Sequence, residues 1–230
     1  MTARIAVFAS GRGSNLQALH TYLERAGGAE VVLVASDRAA SGALTWAHDR
    51  GITTSTLGSG GDDGKAILHL LATSRIDCVV LAGYLRLVPA EVVRAYRGRI
   101  VNVHPALLPA FGGPGMYGAR VHRAVLASGT RVSGPTVHFV DEVYDHGPII
   151  AQWPVPVFPD DTEAALAARV LRAEHLLLPR AAHLVALGRI TLPDDERSRG
   201  APAARERAAF LLATPEDDAL AESMAGAISA

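Results

Sequence analysis

Short, unbroken apolar runs alternate with segments of helical period through the first hundred residues, and this alternation restricts the chain to few folds. Ile5-Ala6-Val7-Phe8, Val31-Val32-Leu33-Val34-Ala35 and residues 78–82 are such runs, and residues 52–57 and 99–104 also read as strands. Residues 16–25, 40–50 and 65–74, which lie between them, read as helices. A strand apolar on both faces must be covered on both faces, so the pattern predicts an α/β architecture with a doubly wound, mostly parallel sheet. Ligands of such sheets bind beyond the carboxyl ends of the strands, at a topological switch point.

The rhythm changes after residue 130. Residues 136–141 and 149–157 read as strands joined only by the polar stretch 142–148. A parallel pair needs a longer crossover, so these two strands are expected to be antiparallel. A long helix follows over 162–188, with Asp161 or Thr162 as N-cap and Gly188 as its stop. Pro179 is expected to kink or divide it.

Composition narrows the class of partner. The 230 residues carry 22 Lys+Arg against 23 Asp+Glu, a net charge of −1. A nucleic-acid or membrane-surface binder carries a basic excess, so neither is expected as a partner. No apolar stretch is long enough to span a bilayer, and the run after Met1-Thr2-Ala3-Arg4 is too short for a signal peptide, so a cytoplasmic location is expected. Cys78 is the single cysteine and lies in an apolar run, which reads as a small core residue. Residues 191–230 hold eight acids and four arginines and are rich in alanine, an acidic C-terminal extension to a body spanning 1–190. The body carries 18 basic and 15 acidic side chains, which suits anionic small molecules.

Ser10-Gly11-Arg12-Gly13-Ser14-Asn15-Leu16 joins the first strand to the first helix. Glycines admit a ligand to the backbone, and free amides at a helix start attract anions. Ser14 or Asn15 can cap the helix and still reach a phosphate. A Walker A loop is excluded because no lysine is present in this turn. A dinucleotide fingerprint would have glycine where Leu16 stands, although Asp37 ends the second strand where a ribose-binding acid belongs. A phosphate monoester is therefore the expected ligand.

In Asn102-Val103-His104-Pro105 the amide and the imidazole stand at i and i+2, on one face of a strand that Pro105 stops. Together they can form an oxyanion hole for acyl transfer. A carboxylate from the loop that contains Asp145 would hold His104 in its charged form. Glu174 falls between Val170 and Leu178, within a helical apolar stripe shared with Leu166 and Leu177. A carboxylate there needs a partner.

These segments, with Leu81-Ala82-Gly83-Tyr84-Leu85-Arg86, Thr136-Val137-His138-Phe139-Val140, Asp145-His146-Gly147-Pro148 and Glu174-His175, occur in an order that resembles the phosphoribosylglycinamide formyltransferases, within the folate-dependent formyltransferase family. The resemblance covers about residues 4–190. It implies a Rossmann-like formyltransferase domain over 1–190, with about seven strands and antiparallel C-terminal ones. It also implies direct transfer of a formyl group from 10-formyltetrahydrofolate, as co-substrate, to the amine of glycinamide ribonucleotide in purine biosynthesis, with no metal.

Residue roles follow from the same resemblance. Asn102 and protonated His104 would bind the tetrahedral oxyanion, and Asp145 would keep His104 charged and help remove the amine proton. Gly13, Ser14 and Asn15 would hold the ribose phosphate, and Glu174 the glycinamide. The folate would lie along Leu85, Arg86, Leu87 and Val88, near Asn102, with its pterin at Val140, Asp141 and Asp145; His138 would support the site. A homodimer is compatible with the sequence.

Two segments depart from the family pattern. Residues 59–65 are short and lack an arginine near the folate tail, for which Lys65 is the candidate substitute. Residues 111–118 are glycine-rich and suit either a mobile lid or a plain turn. The alternatives are another formyl-folate transferase or hydrolase, and a non-catalytic nucleotide-binding module built on the glycine loop.

Overall fold

The structure, a computed structural model, describes residues 2–58 and 63–192. Most of the expected C-terminal extension and part of the 59–65 segment lie outside the described residues.

The apolar runs form strands β1 (Ala3–Phe8), β2 (Ala29–Ser36), β3 (Thr53–Thr56), β4 (Cys78–Leu81) and β5 (Ile100–His104), all mutually parallel where they pair. Helices α1 (Ser14–Ala26), α2 (Gly42–His48) and α3 (Asp63–Thr73) separate the first four strands. Phe8, Leu33, Val79, Val80 and Val101 are fully buried, as strands covered on both faces must be. Cys78 belongs to this core, and burial pushes its thiol up to about 12, so it is chemically inert.

The sheet has seven strands in the order β3-β2-β1-β4-β5-β7-β8, with β7 (Thr136–Phe139) and β8 (Ile149–Gln152) antiparallel to their neighbours. From β1 the chain winds one way to β2, then returns to lay β4 on β1's other side. The turns after β1 and β4 therefore diverge and open a crevice at the carboxyl end of the sheet, the switch point anticipated from the alternation.

Three details differ from expectation. The strand expected over 149–157 is two strands, because Trp153-Pro154 interrupts the ladder; β9 (Val155–Pro156) leaves the main sheet to pair with β6 (Val132–Ser133). Helices α4 (Ala90–Ala95) and α5 (Ala119–Ser128) have no counterpart in the sequence reading. The first is too short to show a period, and glycines obscure the start of the second. Helix α6 (Glu163–Ala186) takes Thr162, one of its two expected caps, as N-cap: the Thr162 hydroxyl accepts from the Ala165 N–H at 3.1 Å, whereas Asp161 pairs with Arg169 at 2.6 Å. Pro179 does not divide α6; Leu177, Leu178, Ala181 and Ala182 around it are buried, and that packing outweighs one missing hydrogen bond. Gly188, at φ +66°, follows the last turn as expected.

Two glycines permit the close passage of chain around β7. A Cβ on Gly147 would overlap the Phe139 carbonyl oxygen. One on Gly134, at φ +140°, would overlap the Trp153 carbonyl oxygen. Gly134→Ala combines a forbidden backbone angle with that overlap and is expected to cost about 2 kcal/mol or more. Urea denaturation of the purified variant measures it.

Candidate functional site

The glycine turn is held rigidly at the mouth of the crevice. The Ser10 N–H donates to the Gly83 carbonyl at 3.1 Å, its hydroxyl donates to Asp37 Oδ1 at 2.5 Å, and the same oxygen accepts from the Leu85 N–H at 3.1 Å. One serine thus ties together the segments that follow β1, β2 and β4. Asp37 is consumed in this tie and does not line the cavity, which removes the ribose-binding role that a dinucleotide site would give it. Gly13 is the N-cap of α1 at φ +80°, and a Cβ there would lie 3.0 Å from Ala43. Both the angle and the contact require glycine. The expected capping by Ser14 or Asn15 is not observed, because both already lie in the first turn of α1. No side chain caps this end, so its first N–H groups have no partner within the helix.

The polar centre forms where β5 meets β7. Their antiparallel register sets Asn102 directly opposite His138. The His138 Nδ1–H donates to the Phe139 carbonyl at 2.8 Å, and Nε2 lies 3.0 Å from Asn102 Nδ2. Nε2 must then accept from the Asn102 amide, so His138 is neutral. Burial pushes its pKa down, in agreement. The 3.8 Å approach of His138 Nε2 to Asp145 Oδ1 is therefore not an ion pair. Held this way, the Asn102 NH2 keeps its second N–H for another acceptor.

His104 is enclosed by acceptors. Its Nε2 lies 2.9 Å from the Phe111 carbonyl oxygen and its Nδ1 3.4 Å from Asp145 Oδ2. A neutral ring could donate to one of these acceptors, and an imidazolium to both. Asp145 reaches this position at φ +54° and also accepts from the Gly113 N–H at 2.9 Å. Burial alone would push its carboxyl up; the His104 ring and the Gly113 N–H reverse this and hold it below the usual carboxylate range. Gly112 has no Cβ to press on Leu108 and Asp145, which lets residues 111–113 lie against the pair.

A cavity of about 840 Å³ connects these groups, within the range of small-molecule sites. Gly13, Ser14, Asn15, Asn102, His104, His138, Asp145 and Glu174 all line it. So do the expected folate contacts Leu85, Arg86, Leu87, Val88, Val140 and Asp141. Glu174 is 7% exposed and its Oε2 accepts from Asn15 Nδ2 at 2.6 Å. The partner required by this carboxylate is thus a side chain of the glycine turn. Burial pushes the Glu174 pKa up, against the opposing Asn15 bond. The Arg86 guanidinium is committed to the Gly58 carbonyl and, at 3.0 Å, to Asp63. Lys65 is exposed and does not line the cavity.

Arg12, Arg38 and His122 also line the cavity and were not singled out in the sequence. Arg12, between two glycines of the turn, could have been. Arg38 and His122 depend on where α2 and α5 fall. Among the described residues neither Arg12 nor Arg38 has an ion-pair partner, no group of three His, Cys, Asp or Glu is placed to hold a metal ion, and no helix is long and apolar enough to cross a membrane.

A family model described as formyl transferase matches residues 3–182. The chloroplastic phosphoribosylglycinamide formyltransferase of Vigna unguiculata is 44% identical over 180 residues, which are 76% of this chain and 58% of that protein. Its counterpart in Arabidopsis thaliana is 45% identical over 181 residues, 76% of this chain and 62% of that one. The chain thus spans about three fifths of the length of these two relatives. The crystal structure of glycinamide ribonucleotide transformylase 1 from Symbiobacterium toebii matches with a TM-score of 0.77 at 39% identity, covering 84% of this chain and 92% of that one.

Glu174 yields a test of the site's electrostatics. Its folded pKa lies above the ordinary 4.5, so its contribution to stability is full below pH 4.5 and is lost as pH rises through the folded value. Glu174→Gln carries no charge to bury. It is expected to melt at a higher temperature than the wild type at pH 7 to 8, with the difference vanishing near pH 4, as followed by thermal denaturation across pH.

Proposed function

The chain belongs to the formyl transferase family, and from that premise we propose that it transfers the formyl group of 10-formyltetrahydrofolate to the amine of glycinamide ribonucleotide. The carrying observation is that an amide, an imidazole beside a carboxylate, and an uncapped helix start share one cavity.

The ribonucleotide phosphate sits at the first-turn N–H groups of Ser14 and Asn15, with Arg12 and Arg38 supplying the counter-charge. Glu174 accepts from the glycinamide side of the molecule. The folate lies along residues 85–88 and 140–145, its formyl group beside Asn102 and His104. The substrate amine adds to the formyl carbon, and the carbonyl oxygen becomes an oxyanion. The free N–H of Asn102 and the His104 imidazolium stabilise that oxyanion. The C–N bond to the folate then breaks. The proton lost by the attacking amine passes, with Asp145 guiding a water, to the departing folate nitrogen. No covalent bond to the protein is formed. Asp145 acts by keeping His104 doubly protonated, and His138 by fixing which way the Asn102 amide faces.

Formyl transfer is followed with and without glycinamide ribonucleotide. Transfer only when the acceptor is present supports the reading. Folate deformylation without acceptor indicates a hydrolase instead, and binding of ribonucleotide with neither reaction a non-catalytic module. His104→Ala and Asp145→Asn are each expected to lower kcat by about 10²–10³, the effect of removing one oxyanion donor. The doubly substituted Arg12→Ala/Arg38→Ala protein is expected to raise KM for the ribonucleotide roughly tenfold while KM for the folate stays put. Steady-state kinetics with each substrate varied in turn separates the two effects.

A further inference from the structure

One buried side chain in the cavity has no task in this mechanism. His122 lies on α5, is 5% exposed and lines the cavity. Its Nδ1 is fully buried, and neither ring nitrogen has a hydrogen-bond partner among the described residues. A buried polar group without a partner is costly, and native proteins keep few of them. Five such side-chain atoms occur among the described residues, on Asn15, His122, Ser133, His175 and His183. Only Asn15 and His122 line the cavity, and Asn15 already belongs to the glycine turn.

The surroundings define what this imidazole can bind. The cavity that His122 lines is also walled by Met116 and Tyr117 from the glycine-rich segment and by Ala164, Ala167 and Leu171 from α6. The nearby Glu163 carboxylate is taken by Arg123 at 2.7 and 3.2 Å, so it is no partner for His122. Burial pushes the His122 pKa down, and the His104 charge pushes the same way against Glu163, which keeps the ring neutral. A neutral imidazole offers one N–H and one lone pair. It suits an uncharged hydroxyl or amide rather than a phosphate, for which Arg12 and Arg38 stand at the glycine turn.

We propose that His122 is a substrate-contacting residue that hydrogen-bonds a neutral hydroxyl or amide of a molecule bound in the cavity. The inference rests on the formyl-transfer reading, in which both substrates carry such groups. Its cost and benefit are opposed: the orphaned ring destabilises the empty protein and gains its partner only when substrate arrives. A residue retained for structure alone would stabilise the empty protein.

The test is His122→Leu, with His122→Gln as the variant that keeps a donor and an acceptor. In the full chain His122→Leu is expected to melt no lower than the wild type. It should raise KM about tenfold for one substrate, and His122→Gln should recover part of that loss. A rise confined to glycinamide ribonucleotide assigns the contact to that molecule, and one confined to 10-formyltetrahydrofolate assigns it to the folate. Unchanged KM values for both, or a lower melting temperature in both variants, overturn the proposal while leaving the formyl-transfer reading intact. If His122→Leu does not fold, His122 stabilises the empty protein and the proposal is likewise overturned. A wild-type protein that transfers no formyl group overturns the parent reading, and this inference with it.

Discussion

The polar centre depends on one strand running the wrong way. Five parallel strands end with their carboxyl termini at the crevice, and β7 then enters antiparallel beside β5. This places His138 exactly across the ladder from Asn102. It also starts a connection from the end of β7 that carries Asp145 back over the end of β5 to within 3.4 Å of His104. A parallel β7 would need a long crossover, and its residues would meet β5 in another register. The direction of one strand therefore gathers an amide, two imidazoles and a carboxylate from two segments about forty residues apart.

The two histidines meet different partners for reasons of geometry. His138 is 2% exposed and its Nδ1–H already donates to its neighbour's carbonyl, so its second nitrogen is left to accept from Asn102. His104 is 3% exposed, yet a carbonyl and a carboxylate face its two nitrogens. Burial is the same for both; what differs is the partners. That difference sets one ring to accept from an amide and places the other between two acceptors.

Several features sacrifice stability to the site. Glu174 is buried with a raised pKa, Asp145 sits at positive φ, and Asn15 Oδ1 and His122 Nδ1 have no partner among the described residues. Beneath it, Ile5–Phe8 of β1 and Cys78–Leu81 of β4 are apolar, buried and paired in regular parallel register. That scaffold has the surplus to hold strained and unsatisfied groups at its edge.

Much of this architecture was legible in the residues. The apolar runs identified five parallel strands, because a strand buried on both faces leaves no other pattern. The short stretch 142–148 required the antiparallel pair, and the i, i+2 spacing of Asn102 and His104 put both on one face. Boundaries that rest on weak local signals were not legible: α5 behind its glycines, the break at Trp153-Pro154, and the unbroken course of α6 past Pro179. Local chemistry alone thus determined the sheet and the candidate glycine turn, amide and imidazole. Tertiary structure decided what each of these groups faces, namely Glu174 on Asn15, the Phe111 carbonyl on His104, Asp37 on Ser10, and His122 in the cavity with no partner. The reason is that periodicity specifies which side of an element a residue occupies, whereas a hydrogen-bond partner is set by the packing of segments far apart in the chain.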